Sequence, residues 1–118
     1  MKIKIDLKLD NWNDTINHCR YNKYSANMMK KREMKQIGYF LIGMQPIKNY
    51  PIKIKCEWHV KNINSDLDNK SIKSVLDEMQ IMGILENDNI KHITEINHIA
   101  IKDNTDYLIM YIEENKNV

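Results

Sequence analysis

Residues 64–93 read NSDLDNKSIKSVLDEMQIMGILENDNIKHI, and this stretch decides the fold. Ile72, Val75, Leu76 and Met79 recur at the i, i+3, i+4, i+7 spacing of a helix that buries one stripe. The spacing predicts a helix over 69–82. Gly83 ends it, because a glycine just past the last periodic residue takes the left-handed conformation that closes a helix. Acidic residues stand on both sides: Asp66 and Asp68 before the helix, Asp88 after it.

The flanks of this helix alternate. Upstream, Ile52, Ile54, Cys56, Trp58 and Val60 lie two apart, which predicts a half-buried strand over 52–60. Downstream, 92–101 and 106–113 read as two strands joined by a turn at "DNT". Tyr107 to Ile112 is apolar on both faces and is expected inside the sheet. At the start, Ile3, Ile5, Leu7 and Leu9 alternate with Lys2, Lys4, Asp6 and Lys8, a strand over 2–9. A short helix is expected around 14–20. A longer one starts at Ser25 as N-cap and runs to about Ile42, with Met34, Ile37, Leu41 and Met44 as its stripe and Phe40 beside it. "QPIKNYP" is a connector. The order β-α-α-β-α-β-β, with no repeat and no domain boundary, predicts one α+β domain over 1–118 with a mixed sheet and helices packed on it.

Composition supports a folded chain of one-domain size. There are 118 residues, 42% hydrophobic, with only 3 Gly and 2 Pro, so a core can form and long loops are few. No apolar run approaches the roughly 20 residues of a membrane span. The alternating, charged "MKIKIDLKLD" is no signal peptide, so the expected compartment is the cytoplasm, with no membrane partner. Cys19 and Cys56 lack any zinc-ligand spacing and are expected as two partly buried thiols. Charge is uneven. Residues 1–61 hold 13 Lys and Arg against 5 Asp and Glu, whereas 62–118 hold 5 against 11. A basic half beside an acidic half suits a polyanion-binding surface next to an acidic site.

In an extended chain residues i and i+2 point the same way, so Asp66 and Asp68 are expected on one face. The turn at Gly83 lets Asp88 approach them. Three converging carboxylates repel unless a cation neutralises them. Hard oxygen donors select Mg²⁺, with Mn²⁺ as a substitute, and such a site suits phosphodiester hydrolysis. The plain alternatives stay open at this point: Asp68 serves equally as the cap of a helix starting at Asn69, and Asp88 as an ordinary turn residue. A calcium loop counted from Asp66 fails, because its sixth position is Ser71 and its twelfth Asp77. Asn69, Lys73 and Asp77 form a polar stripe at i, i+4, i+8. Lys73 reads either as a surface partner of Asp77 or as an ammonium that holds phosphate beside the carboxylates.

Between Arg20 and Lys35 lie six basic residues, Arg20, Lys23, Lys30, Lys31, Arg32 and Lys35, with Glu33 the only acid. Trp12, Tyr21 and Tyr24 stand among or beside them. A solvated helix face is one reading. Phosphate contact, with aromatic side chains stacking on exposed bases, is the other.

The motif "CEWHVKNINSDLDN", the helix "KSIKSVLDEMQ" and "MGILENDNIKHI" together resemble the RusA family of crossover junction endodeoxyribonucleases, in the form found in Gram-positive phages and prophages. "NWNDTINHCRYNKYSANMMKKREM" is similar to that form's N-terminal segment, so the resemblance covers roughly residues 11–113. It implies that Asp66, Asp68 and Asp88 are catalytic Mg²⁺-binding aspartates and Lys73 a catalytic lysine. It matches Asn69 and Asp77 to supporting motif positions, and Asn13 and Arg20 to DNA-contacting ones. The chain departs from the pattern three times: the proline-rich entry seen in some members is missing, and two differences fall in the motif itself. Lys73 lies one residue further from D-x-D-N than in the shortest form, and the acidic pair before the next strand is reduced to Asp88 by Asn87.

The expectation is therefore a Mg²⁺-dependent, structure-selective endodeoxyribonuclease that resolves Holliday junctions in DNA recombination and repair. It would act as a homodimer, with Lys23, Lys30, Lys31, Arg32, Lys35 and Lys61 on the DNA arms. Two rivals remain: a junction-binding protein that does not cleave, and a metallonuclease acting on flaps or other branched DNA.

Overall fold

A computed structural model describes residues 1–9 and 23–117. Its elements are strand β1 (Lys2–Ile5), helix α1 (Lys23–Leu41), strand β2 (Ile52–Val60), a 3₁₀ turn (Leu67–Asn69), helix α2 (Lys73–Ile81), and strands β3 (Ile93–Lys102) and β4 (Tyr107–Glu114). The four strands form one mixed sheet in the order β1-β4-β2-β3. The chain is α+β, as its pattern predicts. The short helix expected at 14–20, with Trp12, Asn13, Cys19, Arg20 and Tyr21, lies outside the described residues.

Alternation explains the layers. Ile3 and Ile5 of β1, Ile54, Cys56 and Trp58 of β2, and Leu108, Met110 and Ile112 of β4 are all buried on one face of the sheet. There they join Ile37 and Leu41 of α1 and Val75, Leu76 and Met79 of α2 in a single core. Each such side chain contributes roughly 1.5–3 kcal/mol by leaving water. The other face carries Lys2, Lys4, Lys53, Lys55, Tyr107 and Tyr111, with no described helix packed on it. The basic charge of the N-terminal half is therefore split between α1 and the open face of the sheet.

β2 and β3 run parallel, joined by α2 as the crossover, whereas β4 is antiparallel to both β1 and β2. β4 is an interior strand, as its apolar run predicts. β3 and β4, though consecutive, do not pair: β2 lies between them. Their connection instead crosses the end of β2, where the Asp103 N–H donates to the Val60 carbonyl at 2.9 Å. The Tyr107 hydroxyl donates to the Asp103 carboxylate at 2.7 Å, and His59 Nδ1 meets the same oxygen at 3.0 Å. Tyr107, the Asn104 N–H and His59 together hold the Asp103 carboxyl below its ordinary range.

Element boundaries differ from expectation in three places. β1 stops at Ile5, although burial continues at Leu9. α1 begins at Lys23, so Ser25 lies inside the helix rather than capping it. α2 begins at Lys73, four residues later than its apolar spacing suggested. Its end is as predicted. Gly83 has φ +76°, and the Ile84 and Gly83 N–H groups donate to the Met79 and Gln80 carbonyls at 2.8 and 3.1 Å. These are the paired closing bonds of a helix terminated by a left-handed glycine.

Cys56 is fully buried, and burial pushes its thiol up from 9.0 to about 12. The native thiol thus stays protonated where an unfolded one ionises. The unfolded state binds fewer protons above pH 9, so stability falls as pH rises past that point. Alkylation of Cys56 by iodoacetamide at pH 8.5 should be negligible in the folded protein and rapid in denaturant. Equal rates in both conditions, measured by mass spectrometry of the Cys56 peptide, would contradict this.

Candidate active site

The acidic segment leaves the core at the end of β2. The Lys61 N–H donates to the Asp106 carboxylate at 3.1 Å, and Lys102 Nζ donates to the Lys61 carbonyl at 3.3 Å. These bonds tie the exit of β2 to the β3–β4 connection, with Lys61 itself exposed. Six residues on, the chain turns. The Asn69 N–H donates to the Asp66 carbonyl at 3.2 Å, and the Lys70 N–H to the Leu67 carbonyl at 3.1 Å. The resulting 3₁₀ turn packs against β3.

This turn corrects the extended-chain reading of D-x-D. Asp66 is extended, with ψ 124°, but Asp68 sits inside the 3₁₀ turn. At three residues per turn, positions two apart point in well-separated directions rather than along one face. Nor does Asp68 cap α2. The Lys73 N–H at the helix start is bonded at 3.2 Å by the Ser71 hydroxyl oxygen. Asp66 and Asp68 are exposed, and neither side chain makes a hydrogen bond or ion pair among the described residues. Asn69 is half-buried and belongs to the turn, so the polar stripe of α2 begins at Lys73.

Lys73 is where separate segments meet. Its Nζ lies 2.9 Å from Asp88 Oδ2 and 3.1 Å from Asp77 Oδ1. Lys73 follows the segment 70–72 at the start of α2, and its ammonium faces Asp88. Asp88 is held in place by its neighbours. Ile84 and Leu85 are buried, the Ile47 N–H donates to the Ile84 carbonyl at 2.8 Å, and the Glu86 N–H donates to the Tyr50 hydroxyl at 3.0 Å. Asp77 reaches a second ammonium, Lys30 Nζ of α1, at 2.8 Å. A charged chain therefore runs Lys30–Asp77–Lys73–Asp88.

The electrostatics follow from these contacts. Its bonds to Asp88 and then Asp77 raise the Lys73 ammonium above its ordinary pKa, so it stays charged at neutral pH. Burial on its own raises the Asp77 carboxyl. The two lysines overcome this and hold it below its usual range. Among the described residues no three His, Cys, Asp or Glu side chains converge closely enough to hold a metal ion. The structure thus brings Lys73, Asp77 and Asp88 together and leaves Asp66 and Asp68 on the neighbouring turn.

The basic run lies on α1. Lys30, Lys31, Arg32 and Lys35 are exposed, while Glu33, its only acid, is 9% exposed and turned inward. The outward face of this run is therefore more basic than its composition. Lys23 opens the helix; Asn13 and Arg20 lie outside the described residues. The Lys30–Asp77 contact is a site feature that sequence reasoning missed. Its partners are 47 residues apart and share no motif, so no local signal announces it. The chain matches no family model, and no curated protein matches it.

Proposed function

We propose that the protein is a Mg²⁺-dependent, structure-selective endodeoxyribonuclease of the RusA type that resolves four-way DNA junctions. The observation that carries this reading is the 2.9 Å pairing of Lys73 with Asp88. Two residues that the RusA pattern assigns to one catalytic centre, fifteen positions apart, meet through their charged ends. An exposed basic helix face, joined to this centre through Lys30 and Asp77, supports a polyanionic substrate.

The carboxylate oxygens of Asp66, Asp68 and Asp88 are of the type a hard divalent cation takes, but the three do not converge in the structure. Asp66 and Asp68 offer exposed carboxylates without competing partners among the described residues, and Asp88 already binds a cationic group. Asp66, Asp68 and Asp88 are the residues that would hold Mg²⁺ or Mn²⁺, with Asp88 shared with or released by Lys73. The metal, when bound, would polarise the scissile phosphate and lower the pKa of an attacking water. The Lys73 ammonium then serves the non-bridging phosphate oxygens or the leaving oxyanion. Because it keeps its proton near neutral pH, its contribution is electrostatic. Lys61, exposed at the exit of β2, and the α1 lysines position the DNA arms.

The direct test is a synthetic four-way junction incubated with the protein with and without Mg²⁺. Paired nicks that depend on Mg²⁺ support the reading. Binding without nicks at any Mg²⁺ concentration would favour a non-cleaving junction protein, and preference for a flap substrate a different branched-DNA nuclease. Junction affinity should fall steeply with salt, because each phosphate contact releases counterions. Replacing Lys30, Lys31 and Arg32 together by Ala should lower the slope of log K against log salt by about 2 to 3. An unchanged slope would place the DNA on another face.

Resolution needs two nicks in strands related by the junction's two-fold symmetry, and each chain carries one acidic segment. A homodimer is therefore part of the proposal. Sedimentation at micromolar concentration should give twice the 14.1 kDa chain mass. A monomer that still resolves junctions fully would remove the dimer from the proposal. No helix among the described residues is long and apolar enough to cross a membrane.

A further inference from the structure

The sheet ends in two edge strands of opposite character. β1 is only 4 residues long and carries Lys2 and Lys4 at its exposed positions. β3 is 10 residues long and reads ITEINHIAIK. Short length and lysines are common guards of a sheet edge, whereas a long uncharged edge is a template for a further strand. β3 has no Pro or Gly, and between Glu95 and Lys102 it has no acidic side chain, lysine or arginine. Ile96, Ile99 and Ile101 are 40%, 38% and 36% exposed. Among the described residues no strand pairs with its outer side. The ladder shows which groups that side presents. The Asp103 N–H donates to the Val60 carbonyl, and Val60 is in register with Lys102. Bonded positions alternate along a strand, so Asn97, Ile99 and Ile101 turn their N–H and C=O groups toward β2. Ile96, His98, Ala100 and Lys102 turn theirs outward.

We propose that β3 is the surface on which two copies of the chain pair, edge to edge and antiparallel, about a two-fold axis at Ile99. The edge is complementary to itself: uncharged along its middle and of opposite sign at its ends. Antiparallel pairing brings the partner's Lys102 opposite Ile96, next to Glu95, whereas parallel pairing would set like charges together. His98 exchanges backbone hydrogen bonds with the partner's Ala100, and Ile96 with the partner's Lys102. Ile99 meets the partner subunit's Ile99 at a non-hydrogen-bonded position, where Cα atoms come to about 4.5 Å. Ile101 lies diagonal to that pair, within side-chain reach. An axis at His98 would instead oppose two imidazoles, and one at Ala100 would leave fewer residues paired.

A two-fold axis perpendicular to the sheet keeps like faces on one side. The 3₁₀ turn of Leu67–Asn69 packs against β3, so both copies of the D-x-D turn come to the same side of one continuous sheet. The use of that arrangement, two acidic turns presented to two strands of one junction, rests on the nuclease reading. The pairing itself is argued from the strand alone.

The test is cross-linking of the full-length chain, read on a non-reducing gel after air oxidation. Ile99→Cys should give a disulfide-linked dimer as its main species, because the facing positions lie within disulfide reach. Asn97→Cys and Ile101→Cys should not link alone, but should link to each other when mixed, since those two positions face across the axis. Lys4→Cys, on the β1 edge, should stay at the background set by Cys19 and Cys56 of the unaltered chain. Ile99→Lys should raise the dimer dissociation constant about tenfold by sedimentation, through loss of the isoleucine pair and repulsion of two facing ammoniums. Ile99 lies on an exposed edge, and thermal melts confirm that each variant is folded. Ile99→Cys linking no better than the unaltered chain would overturn the pairing, as would stronger self-linking of Asn97→Cys or Ile101→Cys. So would an unaltered chain that sediments at 14.1 kDa at micromolar concentration. If the Ile99→Cys dimer forms but the unaltered protein cuts no junction in Mg²⁺, the nuclease reading falls and the pairing stands. Junction cutting without the Ile99→Cys link removes the pairing and leaves the nuclease.

Discussion

Asp68→Asn should abolish junction cleavage in Mg²⁺ while leaving junction binding intact or tighter. The substitution keeps size and shape and removes one negative charge. Asp68 is exposed, takes no part in the core and makes no side-chain hydrogen bond or ion pair among the described residues, so folding loses nothing identifiable. A carboxamide is a poor ligand for a hard divalent cation beside a carboxylate. Losing about 4 kcal/mol of charge stabilisation in the transition state slows cleavage about a thousandfold. Binding moves the other way, since the lost carboxylate had repelled phosphate. Single-turnover cleavage and gel-shift affinity on the same junction separate the two effects. Cleavage at the unaltered rate would show that the D-x-D aspartates do not serve the reaction.

What the sequence disclosed follows the range of the interactions involved. The alternation of Ile52 to Val60 and the stripe Ile72, Val75, Leu76, Met79 are local patterns: the strand stands where it was read, and the helix is present with Val75, Leu76 and Met79 buried. Gly83 was legible for the same reason: a backbone that must adopt positive φ selects its residue. The start of α2 was not. Asp68 and Asn69 look like a cap and first turn, but Ser71 holds the Lys73 N–H and the earlier residues close their own 3₁₀ turn. Competing local hydrogen bonds of similar strength decide such a boundary, and residue type alone does not rank them. Sheet order was hidden more deeply. β3 and β4 follow each other in sequence but flank β2, and the chain between them is bonded to the end of β2 at Asp103 and Asp106. At the candidate site, the motif named Lys73 and Asp88 together and their side chains meet. The expected common face of Asp66 and Asp68 did not survive the turn, and Lys30–Asp77 had no local trace at all.

Lys73→Met should produce opposite changes in cleavage and metal binding, a combination that general loss of structure does not give. Methionine keeps the length of the aliphatic stem and suits a helix as well as lysine does. Lys73 is 59% exposed at its side chain, so the exchange leaves α2 packed through Val75, Leu76 and Met79. Cleavage should fall about a hundred- to a thousandfold, the usual cost of removing a group that stabilises developing negative charge. Mn²⁺ affinity should rise, because Asp88 loses the cation 2.9 Å from its Oδ2 and Asp77 loses one of its two. Lys73→Arg should recover part of the rate, since it keeps the charge but spreads it over a planar fork that meets Asp77 and Asp88 differently. If the Met variant cuts normally, Lys73 is only a surface partner of Asp77 and Asp88. If it loses both cleavage and Mn²⁺ binding, the lysine supports the carboxylates rather than competing for them, and the assignment of Asp88 as a metal ligand shared with Lys73 is wrong.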